Sequence, residues 1–361
     1  MAGIYLHVPF CRAKCAYCDF FSIANPRYLE KWAAAVATEF ANRIQELSGC
    51  NISTLYFGGG TPSMLPDPIF ANLSQLLYTH EIVEFTIEAN PEDITKEKVS
   101  FWKSRGVNRI SIGIQSLVDC ELESINRRHS AQDAINAIDM IHQSGIENIS
   151  CDLIYGLPRQ SLNSWEYSVG KILEQHPTHL SAYCLSYEEG TLLTRRLIEG
   201  KIHETADDVI EAMYNSLCSM TATNGFEHYE ISNFALAAYR SRHNSAYWTL
   251  EPYLGLGPGA HSLDNIGIRR INLPDIKKYI SDYKSICLIE AESPQDKLND
   301  LIMIKLRTSE GIKISECTNE ILSQASKHLR YGNLESDGTN LYIPENRWLM
   351  ADAVIRDLFV E

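Results

Sequence analysis

Long apolar runs are absent from this 361-residue chain: no uninterrupted stretch reaches the ~20 residues that a helix needs to span a bilayer. Positive charge is also short. Lys and Arg number 32 against 46 Asp and Glu, a formal net charge of -14, and no Lys/Arg-rich tract interrupts that balance. Such a surface repels phosphate backbones and anionic lipid, which excludes nonspecific nucleic-acid binding and leaves at most peripheral membrane contact. The N-terminal MAGIYLHVPFCRAKC has no basic leader before an apolar segment, so the expectation is a cytoplasmic protein. Cysteine is too sparse for a disulfide scaffold, with ten in the whole chain. What remains is an ordinary globular composition, 45% hydrophobic and 22% charged, long enough for about two domains and a large core.

Six short apolar or alternating runs recur with helical patterns between them: IYLHVPF (4–10), TLYFGGG (54–60), EFTIEAN (84–90), RISIGIQ (109–115), NISCDLIYG (148–156) and HLSAYCLSY (179–187). The spacing leaves room for a crossover helix each time, and residues 27–47 carry Trp32, Val36, Phe40, Ile44 and Leu47 at helical steps. Repeated β-α units predict an α/β fold with a parallel sheet, either doubly wound or an incomplete barrel. Polar and glycine-rich residues crowd the ends of these strands: the cysteine loop, Gly58-Gly59-Gly60-Thr61, Glu88 and Asn90, Gln115 and Asp152. A parallel sheet binds ligands at that end.

The rhythm stops near residue 190. Three segments are expected: 1–190 as the partial barrel, 191–295 as an aromatic and Gly-rich extension packing on it, and 296–361 as a winged-helix-like unit with a hairpin at Asp337-Gly338.

The cysteines divide sharply. Seven are scattered, as small buried hydrophobes are. Cys11, Cys15 and Cys18 form a C-x3-C-x2-C run directly after the first strand. Structural zinc is normally closed by four ligands, and a 4Fe-4S cluster usually takes four cysteines. Three thiolates on a cubane leave one iron open to chelate the amino and carboxylate groups of S-adenosylmethionine. A zinc site completed by a distant residue is the competing reading. Glycines 58–60 serve either a tight turn or close approach of backbone to that cofactor. Glu88 stands among apolar strand residues, where a carboxylate accepts bonds from ribose hydroxyls. Gln115, Arg127 and Asp152 are each equally suited to a structural hydrogen bond.

The cysteine spacing in this context resembles the signature of the radical S-adenosylmethionine superfamily. GIYLHVPFCRAKCAYCDF, LYFGGGTPS, FTIEANPEDIT, RISIGIQS, INRRHSAQDA, CDLIYGLPRQ and SAYCLSYEEGT together resemble the oxygen-independent coproporphyrinogen oxidase group over almost the whole chain. The resemblance implies an incomplete (β/α)6 barrel followed by a smaller α+β region. It implies Cys11, Cys15 and Cys18 as ligands of a 4Fe-4S cluster, and Tyr5, Gly59, Gly60, Thr61, Glu88, Gln115, Arg127 and Asp152 as contacts of S-adenosylmethionine.

The group has two branches. Oxidases carry a further cysteine two positions after the third, where this chain has Phe20, and a long segment before the cysteine loop, whereas Cys11 is here ten residues from Met1. His243-Asn244-Ser245-Ala246-Tyr247-Trp248 matches the H-N-x-x-Y-W motif of the haem-chaperone branch. That resemblance implies a protein that binds haem and passes it to a haem-requiring acceptor, such as a respiratory enzyme, and draws electrons from a flavodoxin or ferredoxin. No residue is assigned a catalytic role. His243, Tyr247 and Trp248 are the haem candidates, an imidazole as axial ligand and rings on a porphyrin face, with His7, His228 and His261 as rivals near the same mouth. The alternatives are radical decarboxylation of coproporphyrinogen III and, for Tyr247 and Trp248, plain core packing.

Overall fold

The computed structural model describes residues 1–78 and 81–360. The six expected strands form, as β1 (Ala2–Val8), β2 (Ile52–Gly59), β3 (Glu84–Ala89), β4 (Arg109–Gln115), β5 (Asn148–Tyr155) and β6 (His179–Cys184). They lie side by side in chain order, each parallel to the next. The crossovers are helical, the first of them Leu29–Arg43, which buries Trp32, Val36 and Phe40.

Successive side chains of a strand point to opposite faces, and here the two faces differ in chemistry. Ile4, Leu6 and Val8 of β1, Leu55 and Phe57 of β2, Phe85 and Ile87 of β3, and Ile110 and Ile112 of β4 are all fully buried in one apolar core. The alternate set is polar: Tyr5 and His7, Thr54 and Tyr56, Glu84 and Glu88, Arg109 and Ser111, Ser150 and Asp152, His179 and Ser181. The register pairs Glu88 with Ser111, Ser111 with Ser150, and Asp152 with Ser181 across neighbouring strands. One face of the sheet is therefore a continuous polar lining, and the other packs against helices.

The sheet continues beyond these six strands at both edges. After β6 come the antiparallel β7 (Glu227–Glu230) and β8 (Asn233–Ala235), with β8 against β6. On the opposite edge β9 (Tyr253–Leu256) joins β1 in parallel, followed by antiparallel β10 (His261–Leu263), β11 (Arg269–Asn272) and β12 (Cys287–Ile289). The twelve strands end at β12 and β7, which do not pair with each other, so the barrel stays open. The stretch 191–295 thus contributes six strands to this one sheet, hydrogen-bonded into it as well as packed beside it.

From Pro294 onward the chain builds helices Pro294–Lys305, Asn319–Tyr331 and Ala351–Arg356 around a three-stranded sheet, so the last unit begins two residues before the expected 296. Its hairpin turns at Asp337-Gly338, where Gly338 has φ +88° and Asp337 Oδ1 accepts from the amides of Thr339 and Asn340. No helix among the described residues is long and apolar enough to cross a membrane.

Candidate functional site

The C-terminal end of β1 runs into the cysteine loop, and the backbone holds that loop at several points. The Cys11 amide donates to Ile23 O, that of Ile23 to Pro9 O, and that of Ala16 to Ile125 O. Cys11, Cys15 and Cys18 are free and half-buried. Thr61 Oγ1 donates to Cys11 Sγ at 3.2 Å, and Arg127 Nη1 to Cys15 Sγ at 3.4 Å. Asn90 connects these two supports: its Nδ2 donates to Thr61 Oγ1 at 3.4 Å, and its Oδ1 accepts from Arg127 Nη2 at 2.8 Å. Loops after β1, β2, β3 and β4 thereby converge on two of the three thiols. The sequence reading named Asn90 only among the polar residues at the strand ends and gave it no role; its position two residues after Glu88, on the same face of a strand end, was the available signal.

The electrostatics fit an anionic sulfur-ligated group. Arg127 sits beside Cys15 and Tyr17, and although burial opposes its charge, these neighbours hold the guanidinium firmly protonated. Burial, and the neighbouring Cys15 and Cys11, push the Cys18 thiol up to about 11. Three thiolates this close repel one another without a bound cation. The Arg127 Nε, also buried, has no hydrogen-bond partner. Three sulfurs with a buried guanidinium beside one of them fit the anionic iron-sulfur group that a three-cysteine loop would hold.

Next to the thiols lies the glycine turn. Gly59 has φ +101°, and a Cβ there would stand 2.5 Å from His7 Nδ1; one on Gly60 would stand 2.6 Å from Phe10 O and 2.7 Å from Val8 O. The Gly60 amide donates to Val8 O at 2.8 Å. These glycines are required by the approach of β2 to the cysteine loop itself, in addition to any ligand.

The polar lining below holds the remaining candidates. Glu88 accepts from Tyr56 Oη at 2.8 Å and from the Gly59 amide at 3.0 Å. Burial, partly offset by the Tyr56 bond and reinforced by Asp152, raises its carboxyl to about 7. Asp152 accepts from Ser111 and Ser150, at 3.0 and 3.2 Å, and is also raised by burial. Tyr5 lies 5.9 Å from the Tyr56 ring and bonds His7 Nδ1 at 3.2 Å. Gln115 has φ +68° at a bulge in β4, and its amide folds over Gly113; this left-handed conformation is unusual for a residue with a side chain. Tyr5, Glu88, Gln115, Arg127 and Asp152 are thus collected on one face with the glycine turn.

The haem candidates are not collected there. His243 lies on the short helix Arg242–Trp248 at the opposite, N-terminal end of the strands. Its Nδ1 is 2.8 Å from Thr54 Oγ1, its Nε2 is 2.9 Å from Tyr247 Oη, and its ring stacks on Tyr56. Glu84, the first residue of β3, accepts from the amides of Arg242 and His243 at 2.9 Å each, which fixes the helix N-terminus. The H-N-x-x-Y-W motif therefore floors the barrel. His243 is 1% exposed, and burial followed by the nearby Arg109 lowers its imidazole to about 3. An axial iron ligand needs a free ring nitrogen, and in this structure His243 has none; its neighbour Tyr247 is engaged with it, while Trp248 is half-buried on the same helix.

The rivals separate as well. His7 is at the mouth, but Phe21 O and Tyr5 occupy both nitrogens. His228 packs away from the mouth, stacked on Phe234 and edge-on to Trp348 of the C-terminal unit. His261 begins β10, just past the Gly257–Ala260 turn that lies against His7, and it is the exposed one of the four.

A buried network anchors that turn, and it too escaped the sequence reading. Glu39, fully buried, accepts from Arg43 Nη1 (2.7 Å), the Gly257 amide (3.0 Å), Asn272 Nδ2 (2.7 Å) and Tyr279 Oη (2.6 Å). Glu39 and Arg43 stand four apart on a helix, a spacing common on solvated faces.

Residues 5–171 match the Radical SAM superfamily model. The chain is 35% identical over 288 residues to heme chaperone HemW of Bacillus subtilis, covering 78% of this chain and 75% of that protein. It is 32% identical over 370 residues to heme chaperone HemW of Mycobacterium tuberculosis, covering 99% and 94%. Among solved structures, coproporphyrinogen III oxidase (HemN) from Escherichia coli, a radical SAM enzyme, superposes with a TM-score of 0.85 at 18% identity, over 99% of this chain and 90% of that one. At that identity the likeness attests the fold alone. Carrying the cysteine loop on this fold and identical to these relatives at about a third of the aligned positions, the chain belongs to the HemW family of the radical SAM superfamily.

Proposed function

We propose that this protein is a haem chaperone: it holds a 4Fe-4S cluster on Cys11, Cys15 and Cys18 and S-adenosylmethionine on the polar lining beside them, binds haem at the same mouth, and delivers it to a haem-requiring acceptor protein. The observation that carries the reading is the shell of Thr61, Asn90 and Arg127 around two of the three thiols; the haem part rests on the relatives' names. When bound, the cluster and S-adenosylmethionine supply one-electron chemistry. This chain's own residues do the positioning. Thr61 and Arg127 stabilise thiolate, Gly59 and Gly60 bring backbone close, Glu88 accepts from ribose hydroxyls, and Asp152 and Gln115 complete the polar wall. The acceptor is a respiratory enzyme or a protein of like need, electrons come from a flavodoxin or ferredoxin, and the reducing cytoplasm suits three free thiols.

Glu88 makes the cofactor site sensitive to pH. Its folded pKa of about 7 lies above its ordinary value of 4.5, so its contribution to the ligand-free fold is greatest when protonated and is lost as pH rises through 7. Ribose hydroxyls favour the ionised form. S-adenosylmethionine is expected to bind more tightly above pH 7 than below it, by up to about tenfold per pH unit below 7, and Glu88→Gln is expected to flatten that profile. Calorimetric titration across this range checks it; an unchanged profile in the variant removes Glu88 from the cofactor site.

For haem, the exposed His261 is the axial ligand that the geometry favours. Its replacement by alanine is expected to weaken haem binding and shift the absorption spectrum of the complex. In His243→Ala the spectrum of bound haem is expected to keep its form. If His261→Ala binds haem with unaltered affinity and spectrum while His243→Ala changes both, the ligand is His243, and the helix that carries it must open to reach haem.

A further inference from the structure

Cys218, His228 and Glu345 come from three separate segments: the helix Asp207–Thr223, strand β7, and the start of the short helix Glu345–Met350 in the C-terminal unit. A thiol, an imidazole and a carboxylate bring their ligand atoms within 4.8 Å of one another. His228 Nδ1 is 3.8 Å from Cys218 Sγ and 2.8 Å from Glu345 Oε1. We propose that these three residues form a second metal site, selective for zinc, that pins the C-terminal unit to the edge of the main sheet.

Three features support it. First, His228 Nε2 bonds the backbone carbonyl of Ile231 at 3.2 Å. A carbonyl only accepts, so Nε2 carries the hydrogen and, in the neutral ring, Nδ1 presents its lone pair to the sulfur and the carboxylate. A carbonyl on the far nitrogen is the usual way a ligating histidine is oriented. Second, Nδ1 and a carboxylate oxygen at 2.8 Å are both acceptors when His228 is neutral, so either a proton or a cation must stand between them. Third, the site is rigid on the histidine side. The ring is stacked 4.0 Å from Phe234 and meets Trp348 edge-on at 4.3 Å.

One sulfur, one nitrogen and one oxygen suit borderline-soft zinc; with three protein ligands this is an open site, its fourth tetrahedral position taken by water, unlike the closed four-ligand structural sites. Bonds of ~2.0–2.3 Å separate ligand atoms by about 3.3–3.8 Å; Cys218 and His228 already stand so, and Glu345, an exposed side chain, is free to adjust. Binding releases the thiol proton of Cys218 and any proton shared by His228 and Glu345.

The test separates this site from the cysteine loop. In the full chain with Cys11, Cys15 and Cys18 all changed to serine, one Zn2+ per chain is expected by elemental analysis after dialysis, and Co2+ is expected to show thiolate charge-transfer absorption. Cys218→Ser should abolish both, and Glu345→Gln, a surface change that spares the fold, should weaken zinc at least about tenfold. Zinc should also raise the unfolding midpoint of the parent and not of Cys218→Ser. No bound ion in the triple-serine chain, or zinc affinity unchanged from that parent in Cys218→Ser and Glu345→Gln, overturns the site and leaves His228 and Glu345 as an ion pair.

Discussion

Serine in place of any one of Cys11, Cys15 and Cys18 is expected to cost the anaerobically reconstituted protein most of its iron and sulfide, together with its electron paramagnetic resonance signal. Each thiol supplies one third of the protein's ligand set, and a hydroxyl is a far poorer donor to iron than a thiolate. Thr61 and Arg127, which donate to Cys11 and Cys15, support thiolates without replacing them. Cys151, by contrast, is buried inside the apolar core. Cys120, exposed on the surface, supplies the control: Cys120→Ser is expected to keep full iron content. Retention of the cluster signal in Cys11→Ser, Cys15→Ser or Cys18→Ser would show that the ligands have been misassigned.

Arg43→Met is expected to destabilise the fold by about 3–5 kcal/mol, because it leaves the Glu39 carboxylate buried without its cation. Arg43 also donates to Ser262 Oγ at 2.9 Å and to Glu46, so helix Leu29–Arg43, strand β10 and the Gly257 turn all lose a shared anchor. Removing both charges while keeping the acceptor, in Glu39→Gln/Arg43→Met, is expected to recover part of that loss, since the Gln carbonyl still accepts from the buried donors around it and no unpaired charge stays buried. Denaturant unfolding of the two single variants and the double variant closes the cycle. Additive losses would mean that the two residues act independently. The functional consequence follows from position: with the Gly257 turn loosened, the wall of the mouth beside His7 and His261 loses its support.

The six parallel strands were legible because each is an apolar run closed by polar or glycine residues and separated from the next by the length of a crossover helix. The cysteine run was legible by spacing and context, whereas Thr61 and Arg127 were given a role only through the family resemblance, since one threonine and one arginine carry no signal of their own. β9 was not, being four residues between Pro252 and Gly257 in a stretch whose composition reads as loop; only its pairing with β1 makes it a strand. The place of His243 was hidden for a different reason. Sequence shows the chemistry of an imidazole beside two aromatic residues, but which end of the sheet a short helix closes is decided by its partners, here Glu84 and Thr54 from the far ends of two strands. Glu39 and Arg43 were hidden by burial, which charge alone argues against. The two-faced character of the sheet, by contrast, was written in the alternation of ISTLYFGG and RISIGIQ and is what makes room for a polar site inside an α/β barrel.

The most direct test of the chaperone assignment is a paired assay on the reconstituted protein, offered haem in one arm and coproporphyrinogen III with S-adenosylmethionine and reductant in the other. Stoichiometric haem retention, transfer to an apo acceptor and no protoporphyrinogen are the expected results. Catalytic decarboxylation of coproporphyrinogen III, with no haem retained, would contradict the account.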